Sequence, residues 1–197
     1  LMVPADGNFV TSIAKGNLKA GEVQGQTRQH ALLINLLGVK QLIVGVNKMD
    51  TASYGKERYD EISAEMALML YQVGWKKDFI AGSVPMVPIS GWHGDNLITH
   101  SDKMPWWNGV DVDVAEGPTK GSVHVTTLLD ALEKMVYVPK RGSDAVMRTP
   151  ISGVYKIKGT GSVLTGRVEQ GKVTLGSEVV FLPTHTLPWS VRRESES

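Results

Sequence analysis

The strongest constraint on the fold is a pair of short apolar runs, each of which leads into a polar segment. Residues 41–46 form the first run and lead into Asn47-Lys48-Met49-Asp50, which we call the first loop. Residues 84–89 form the second run and lead into Ser90-Gly91-Trp92, the second loop. Each run has the length and composition of a buried β-strand.

The residues between the two runs have the spacing of a helix. Apolar side chains recur there at three- and four-residue steps, and a glycine follows as a stop: Tyr59, Ile62, Met66, Met69, Leu70 and Val73, then Gly74. A strand, a helix and a second strand predict a right-handed crossover in a parallel sheet, so both loops emerge at one edge. Ligands bind beyond the carboxyl ends of such strands.

The first loop spells N-K-x-D, the element with which GTPases recognise guanine. An ionised Asp50 can accept hydrogen bonds from N1 and from the exocyclic N2 of guanine, two donors that adenine lacks on that edge. Lys48 can lay its methylene stem against the base, and Asn47 can bond the base and tie neighbouring loops together. Met49 occupies the variable position of this guanine-binding segment.

The second loop lies where a GTPase places its other base-contacting segment. Gly91, after Ser90, allows the backbone to approach the base closely, and the local N–H groups can donate to guanine O6. Trp92 offers a large apolar face beside the ring. The candidate guanine site therefore consists of both loops.

Several longer runs are similar to the eukaryotic translation elongation factor 1-alpha family, and the resemblance covers roughly residues 1–186. The matching segments are residues 25–33, 37–50, 87–96, 104–106, 127–132, 154–157 and 166–169. A lengthened loop over residues 6–25 and the segment 159–164 resemble more closely the elongation-factor-like branch found in some algae and protists.

This resemblance implies a cytoplasmic GTPase that carries aminoacyl-tRNA to the ribosomal A site and is recharged by a guanine-nucleotide exchange factor. It implies GTP/GDP and Mg²⁺ as cofactors. The sequence, however, contains neither a G-x-x-x-x-G-K-[ST] phosphate loop nor a D-x-x-G element. We therefore expect a partial sequence that begins inside the domain, with no catalytic residue, with the magnesium ligands upstream, and with no GTP hydrolysis by the chain as given.

The implied architecture is α/β: the carboxy-terminal half of a P-loop GTPase domain, then an incomplete antiparallel β-barrel. We expect the first part over residues 1–138, a linker over 139–146, and the start of the barrel over 147–197. The alternation of side chains along residues 163–169 is typical of strands. The tail, residues 187–197, departs from the family and lacks a strand pattern, so the barrel is not expected to close.

Three further expectations concern the first part of the chain. The stretch that follows the second loop, from Asp95 to Gly121, is expected to be irregular. Trp106 and Trp107 are expected to cover this long connection. Thr127 and Asp130 are expected to cap the last helix.

Composition excludes several other classes of protein. The 197 residues contain no cysteine, which rules out disulfides and thiolate metal sites. A net charge of +1 means that any tRNA contact depends on a local patch. No apolar run approaches the roughly 18 residues that a membrane helix needs.

Two alternatives remain at the level of sequence. One is a related translational GTPase, namely a release or ribosome-rescue factor, which shares the architecture. The other is a non-catalytic guanine-binding module that never had a phosphate loop.

Overall fold

A three-stranded parallel sheet forms the centre of the first half of the chain in the computed structural model, which describes residues 1–139, 142, 144–183 and 186–190. Strands β1 (Met2–Pro4), β2 (Val44–Asn47) and β3 (Met86–Pro88) lie in that order, with β2 in the middle. Gly45 is in register with Met2 on one side and Val87 on the other. The predicted parallel sheet is confirmed.

Five helices accompany the strands of this half: α1 (Phe9–Ile13), α2 (Gln26–Leu36), α3 (Lys56–Gln72), α4 (Lys77–Ser83) and α5 (Leu128–Met135). The apolar stripe of α3 packs in the core, where Ile62, Met66 and Leu70 have no exposed surface. The helix ends before Gly74, whose φ of +112° is costly for other residues. Helix α3 is thus confirmed, whereas α4 was not predicted because its seven residues bury only one side chain, Ile80.

The segment expected to be irregular contains strand β4 (Val110–Val114), which pairs antiparallel with β5 (Gly121–Val125). The expectation of irregular structure was wrong for these residues. Valines alternate with aspartates along β4, as in a strand with one face towards the core, and only the valines are buried or partly buried. Trp107 is 6% exposed and donates from Nε1 to the carbonyl of Thr126, so the predicted covering role is confirmed.

Helix α5 begins as predicted from its capping pair. The side chain of Thr127 accepts a 3.1 Å hydrogen bond from the backbone N–H of Asp130. This bond satisfies one of the free N–H groups of the first turn.

Among the described residues, no helix combines the length and hydrophobicity needed to cross a bilayer.

The described part of the chain divides into two units, with the boundary between residues 138 and 139. The second unit contains two antiparallel pairs, β6 (Ile151–Ile157) with β7 (Gly161–Gly166) and β8 (Glu178–Phe181) with β9 (Thr186–Ser190). The predicted antiparallel strands are therefore present. In this unit the described residues form two separate pairs, and the expectation that the barrel does not close stays a prediction.

The tail differs from the expectation over its first residues. The backbone of residues 187–190 belongs to β9, with Trp189 in register with Val179. A strand forms despite Pro188 because an edge strand can leave one backbone position without a ladder donor. The remaining tail, residues 191–197, lies outside the described residues.

Candidate guanine-nucleotide site

The two loops follow the carboxyl ends of β2 and β3, which are adjacent strands, and they lie side by side. The first loop turns sharply because Lys48 adopts a left-handed conformation with φ of +65°. Such a conformation costs roughly 1–2 kcal/mol for a residue with a side chain. Residues with side chains that adopt the left-handed conformation are often found at binding sites.

Asn47 connects the loops directly. Its Oδ1 accepts a 2.8 Å hydrogen bond from the backbone N–H of Lys48 and a 2.9 Å hydrogen bond from the backbone N–H of Gly91. A Cβ atom at Gly91 would lie 3.3 Å from that same oxygen, which is a crowded distance. The second loop therefore approaches Asn47 as closely as a glycine permits.

Asp50 and Ser90 form a second connection. The Ser90 hydroxyl donates a 2.6 Å hydrogen bond to Oδ1 of Asp50, and it accepts a 3.2 Å bond from the backbone N–H of His93. Ser90 is fully buried, whereas Asp50 is partly exposed. This arrangement orients the carboxylate and leaves its outer side accessible for two donors from a base.

Lys48 is held by a residue that the sequence reasoning missed. Its Nζ donates a 2.8 Å hydrogen bond to Oδ2 of Asp6, and this bond is the main cause that lowers the pKa of the Asp6 carboxyl. Asp6 lies just after β1, whose carboxyl end shares the same sheet edge. Its position after a parallel strand was the signal that could have identified it.

The two remaining site residues with large side chains lie in opposite environments. The side chain of Met49 is fully buried in the core, and its backbone N–H donates to the carbonyl of Ile89 over 3.1 Å. Met49 therefore anchors the first loop and does not face the site. Trp92 is 88% exposed, so its ring lies at the rim of the second loop.

A polar cluster supports the loops from behind. Oδ2 of Asp95 accepts hydrogen bonds from the Tyr54 hydroxyl at 2.9 Å and from Lys103 Nζ at 3.2 Å, and Oδ1 accepts from Ser101 at 2.7 Å. Burial acts to raise the pKa of Asp95, but these three donors together lower it. Since Tyr54 follows the first loop and Asp95 follows the second, their bond ties both loops together.

No cluster of metal-binding side chains fits Mg²⁺ among the described residues. Groups of three or more histidine, aspartate or glutamate side chains arranged around a common point are not found there. The nearby carboxylates of Asp6 and Asp95 are both engaged by lysines. The expectation that magnesium ligands lie upstream of this chain stays a prediction.

Comparisons with known proteins identify the family of the chain. Residues 5–138 match the elongation factor Tu GTP binding domain. Elongation factor 1-alpha from Absidia glauca is 42% identical over 180 residues, which is 91% of this chain and 37% of that protein.

Among solved structures, Sup35 complexed with GMPPNP is similar, with 26% identity and a TM-score of 0.51 over 93% of this chain and 39% of that chain. The chain thus spans somewhat more than a third of the length of these two relatives. Because the domain match extends over more than half of the sequence, the chain belongs to the family of elongation factor Tu GTP-binding domains, the translation GTPases that include elongation factor 1-alpha.

Proposed function

We propose that the two loops form the guanine-binding half of a GTP/GDP site. The observation that carries this proposal is the direct bonding between loops, Asn47 to Gly91 and Asp50 to Ser90. Two separate hydrogen bonds hold the carboxylate of Asp50 and the backbone of Gly91 in fixed relation. The guanine-nucleotide analogue named with the structure of Sup35 supports the same ligand class.

Each residue has a defined role in this proposal. Asp50 accepts from N1 and N2 of the base, and the backbone of the second loop donates to O6. The stem of Lys48 covers one face of the base, with its ammonium held at Asp6. Trp92 is exposed at the rim, where it can cover the edge of the ring when a base is present.

For the whole protein, we propose GTP-driven delivery of aminoacyl-tRNA to the ribosomal A site in the cytoplasm, with recharging by a guanine-nucleotide exchange factor. The 42% identity to an elongation factor 1-alpha supports this role. A release or ribosome-rescue factor is the alternative within the same family. The second unit, in this proposal, is the start of the β-barrel domain that follows the GTP-binding domain, with a linker over residues 139–146.

The polypeptide of 197 residues is proposed to bind guanine nucleotides weakly and to show no measurable GTP hydrolysis. Its sequence has no phosphate loop and no D-x-x-G element. Much of the affinity for a nucleoside triphosphate comes from contacts to the phosphates, and hydrolysis requires groups placed around the γ-phosphate. Submicromolar GTP binding by calorimetry would contradict this part of the proposal.

Base selectivity provides the direct test. Binding of GDP, of xanthosine diphosphate (XDP) and of ADP to the chain would be compared by ligand-detected saturation-transfer NMR. Wild type should prefer GDP, whereas Asp50→Asn should shift the preference to XDP, because an amide can donate to the xanthine O2 that replaces the guanine N2 donor.

Asp60→Asn is the matched control. Asp60 is an exposed aspartate on α3 that pairs with Lys56, and its removal should leave the GDP preference unchanged. Equal responses to GDP and XDP in wild type and in Asp50→Asn would refute the role assigned to Asp50. Retained preference in Asp50→Asn would do the same.

A further inference from the structure

A cavity that is separate from the two loops lies between α3, α4 and the beginning of β4. Its volume is about 680 Å³. Pockets for small molecules usually measure about 300–1,000 Å³. None of the lining residues belongs to the first or second loop, so ligand binding there can be tested independently of guanine recognition.

One wall of the cavity consists of aromatic and aliphatic side chains that are held in place by packing and hydrogen bonds. Tyr59 and Trp107 lie edge to face with ring centroids 5.6 Å apart, and each ring is fixed by a hydrogen bond from its polar atom to a backbone carbonyl. Ile80 and Val84, both 7% exposed, contribute aliphatic surface from α4 and the residue after it. A wall made of fixed aromatic and aliphatic groups favours a planar apolar ligand.

The lining of the cavity carries one positive charge, that of Lys77. Lys77 is the only charged residue of the lining, which contains no carboxylate. Its Nζ lies 4.7 Å from the centre of the Tyr71 ring, so the cation is held at an aromatic edge of the cavity. The cavity therefore has an electrostatic preference for an anionic group at Lys77.

Ser63 adds a small polar group to the wall. Its hydroxyl is buried beside the hydroxyl of Tyr59, which donates to the carbonyl of Met86.

We propose that this cavity is a binding site for a small aromatic carboxylate, with the ring between Tyr59, Trp107 and Ile80 and the carboxylate at Lys77. The pocket size, the aromatic wall and the single cation agree on this ligand class. The site is distinct from the proposed guanine site and holds whether or not guanine binds.

The test uses 2-naphthoate as the anionic probe and 2-naphthamide as a neutral probe of the same shape. Each is titrated into the 197-residue chain and followed by the methyl NMR signals of Ala67, Leu68 and Ile80, which line the cavity. We expect saturable shifts of these signals and tighter binding of the carboxylate. Lys77→Gln should weaken binding of 2-naphthoate about three- to fivefold and leave 2-naphthamide unchanged, as for one solvent-accessible ion pair.

The matched control is Lys76→Gln, which removes the neighbouring lysine outside the lining and should leave both affinities unchanged. Lys77 is exposed, so its replacement is not expected to impair folding. Three results would overturn the proposal: no saturable shift at the cavity methyls, equal affinity for both probes in wild type, or the same loss in Lys76→Gln as in Lys77→Gln.

Discussion

The side-chain oxygen of Asn47 accepts a 2.9 Å hydrogen bond from the backbone N–H of Gly91, although 44 positions separate the two residues. The same oxygen also accepts from the N–H of Lys48. One amide group thus fixes the shape of the first loop and its distance from the second loop. Loss of this amide would therefore remove both hydrogen bonds at once.

Replacing Asn47 by alanine should loosen both loops. The change leaves two backbone N–H groups without their acceptor, and we expect a loss of about 1–2 kcal/mol in the free energy of unfolding. Guanine selectivity should decrease as well, because Gly91 is no longer held near Asp50. Urea unfolding and the GDP-to-ADP saturation-transfer ratio measure the two effects.

Asn17→Ala is the matched control for this prediction. The side chain of Asn17 accepts one hydrogen bond from the backbone N–H of Lys19 in an exposed segment. Its removal should cost little stability and leave base selectivity unchanged. Unaltered selectivity in Asn47→Ala would mean that the two loops keep their relation without this amide.

Asp130 should make the stability of the first unit depend on acidic pH. Its pKa is lowered from 3.8 to about 2, mainly by a hydrogen bond from the Thr126 hydroxyl and further by Lys134. A pKa that is lower in the folded state gives stability that is present above 3.8 and is lost as the pH falls towards 2. After allowance for solvent screening at this partly exposed carboxylate, the contribution is about 1 kcal/mol.

Asp130→Asn should therefore destabilise the protein near pH 6 and have a much smaller effect near pH 2. Chemical unfolding at the two pH values measures the difference. Asp60→Asn again serves as control, since the exposed pair of Asp60 with Lys56 should contribute little at either pH. An equal loss in Asp130→Asn at both pH values would show that the carboxylate charge contributes nothing.

His124 should carry a positive charge to a higher pH than an ordinary histidine. Its Nδ1 lies 2.8 Å from Oδ1 of Asp111 and its Nε2 lies 2.9 Å from the carbonyl oxygen of Asn108. Both partners are acceptors, so both bonds form only with the doubly protonated ring. The bond to Asp111 is the main cause that raises the pKa of His124 above 6.5.

The resulting stability is fully present below pH 6.5 and is lost as the pH rises through the raised pKa of the folded state. NMR titration of the ring should show a pKa above 6.5 in wild type and a lower value in Asp111→Asn. Asp113→Asn, two positions along β4, should leave the titration of His124 unchanged. A wild-type pKa at or below 6.5 would show that the pair with Asp111 does not form in solution.

The elements with the clearest periodic patterns were predictable from the sequence. The spacing of Ile62, Met66 and Leu70 identified α3, and Gly74 marked its end. The short elements α4 and β9 were not predictable from such a pattern. Helix α4 has too few residues for a reliable period, and Pro188 in the sequence of β9 argues against a strand until the pairing with β8 is known.

The sequence predicted which segments meet at the candidate site, but not which side chains face it or how they bond to one another. The motif pointed to Asn47 and Asp50, and the crossover rule placed Ser90 at the same edge. The position of Asp6 after β1 indicated its sheet edge, but no local pattern predicted that Asp6 bonds to Lys48 or that Tyr54 bonds to Asp95. Both join residues more than forty positions apart.

The sequence by itself determined the family, the parallel sheet and the segments that meet at its edge, because strand and helix periods and the N-K-x-D spacing are local properties of the chain. Only the tertiary structure decided which way each loop residue faces. It buried Met49, exposed Trp92 and set the Ser90 hydroxyl against Asp50. These outcomes depend on the register of adjacent strands and on packing between distant residues, which no local pattern contains.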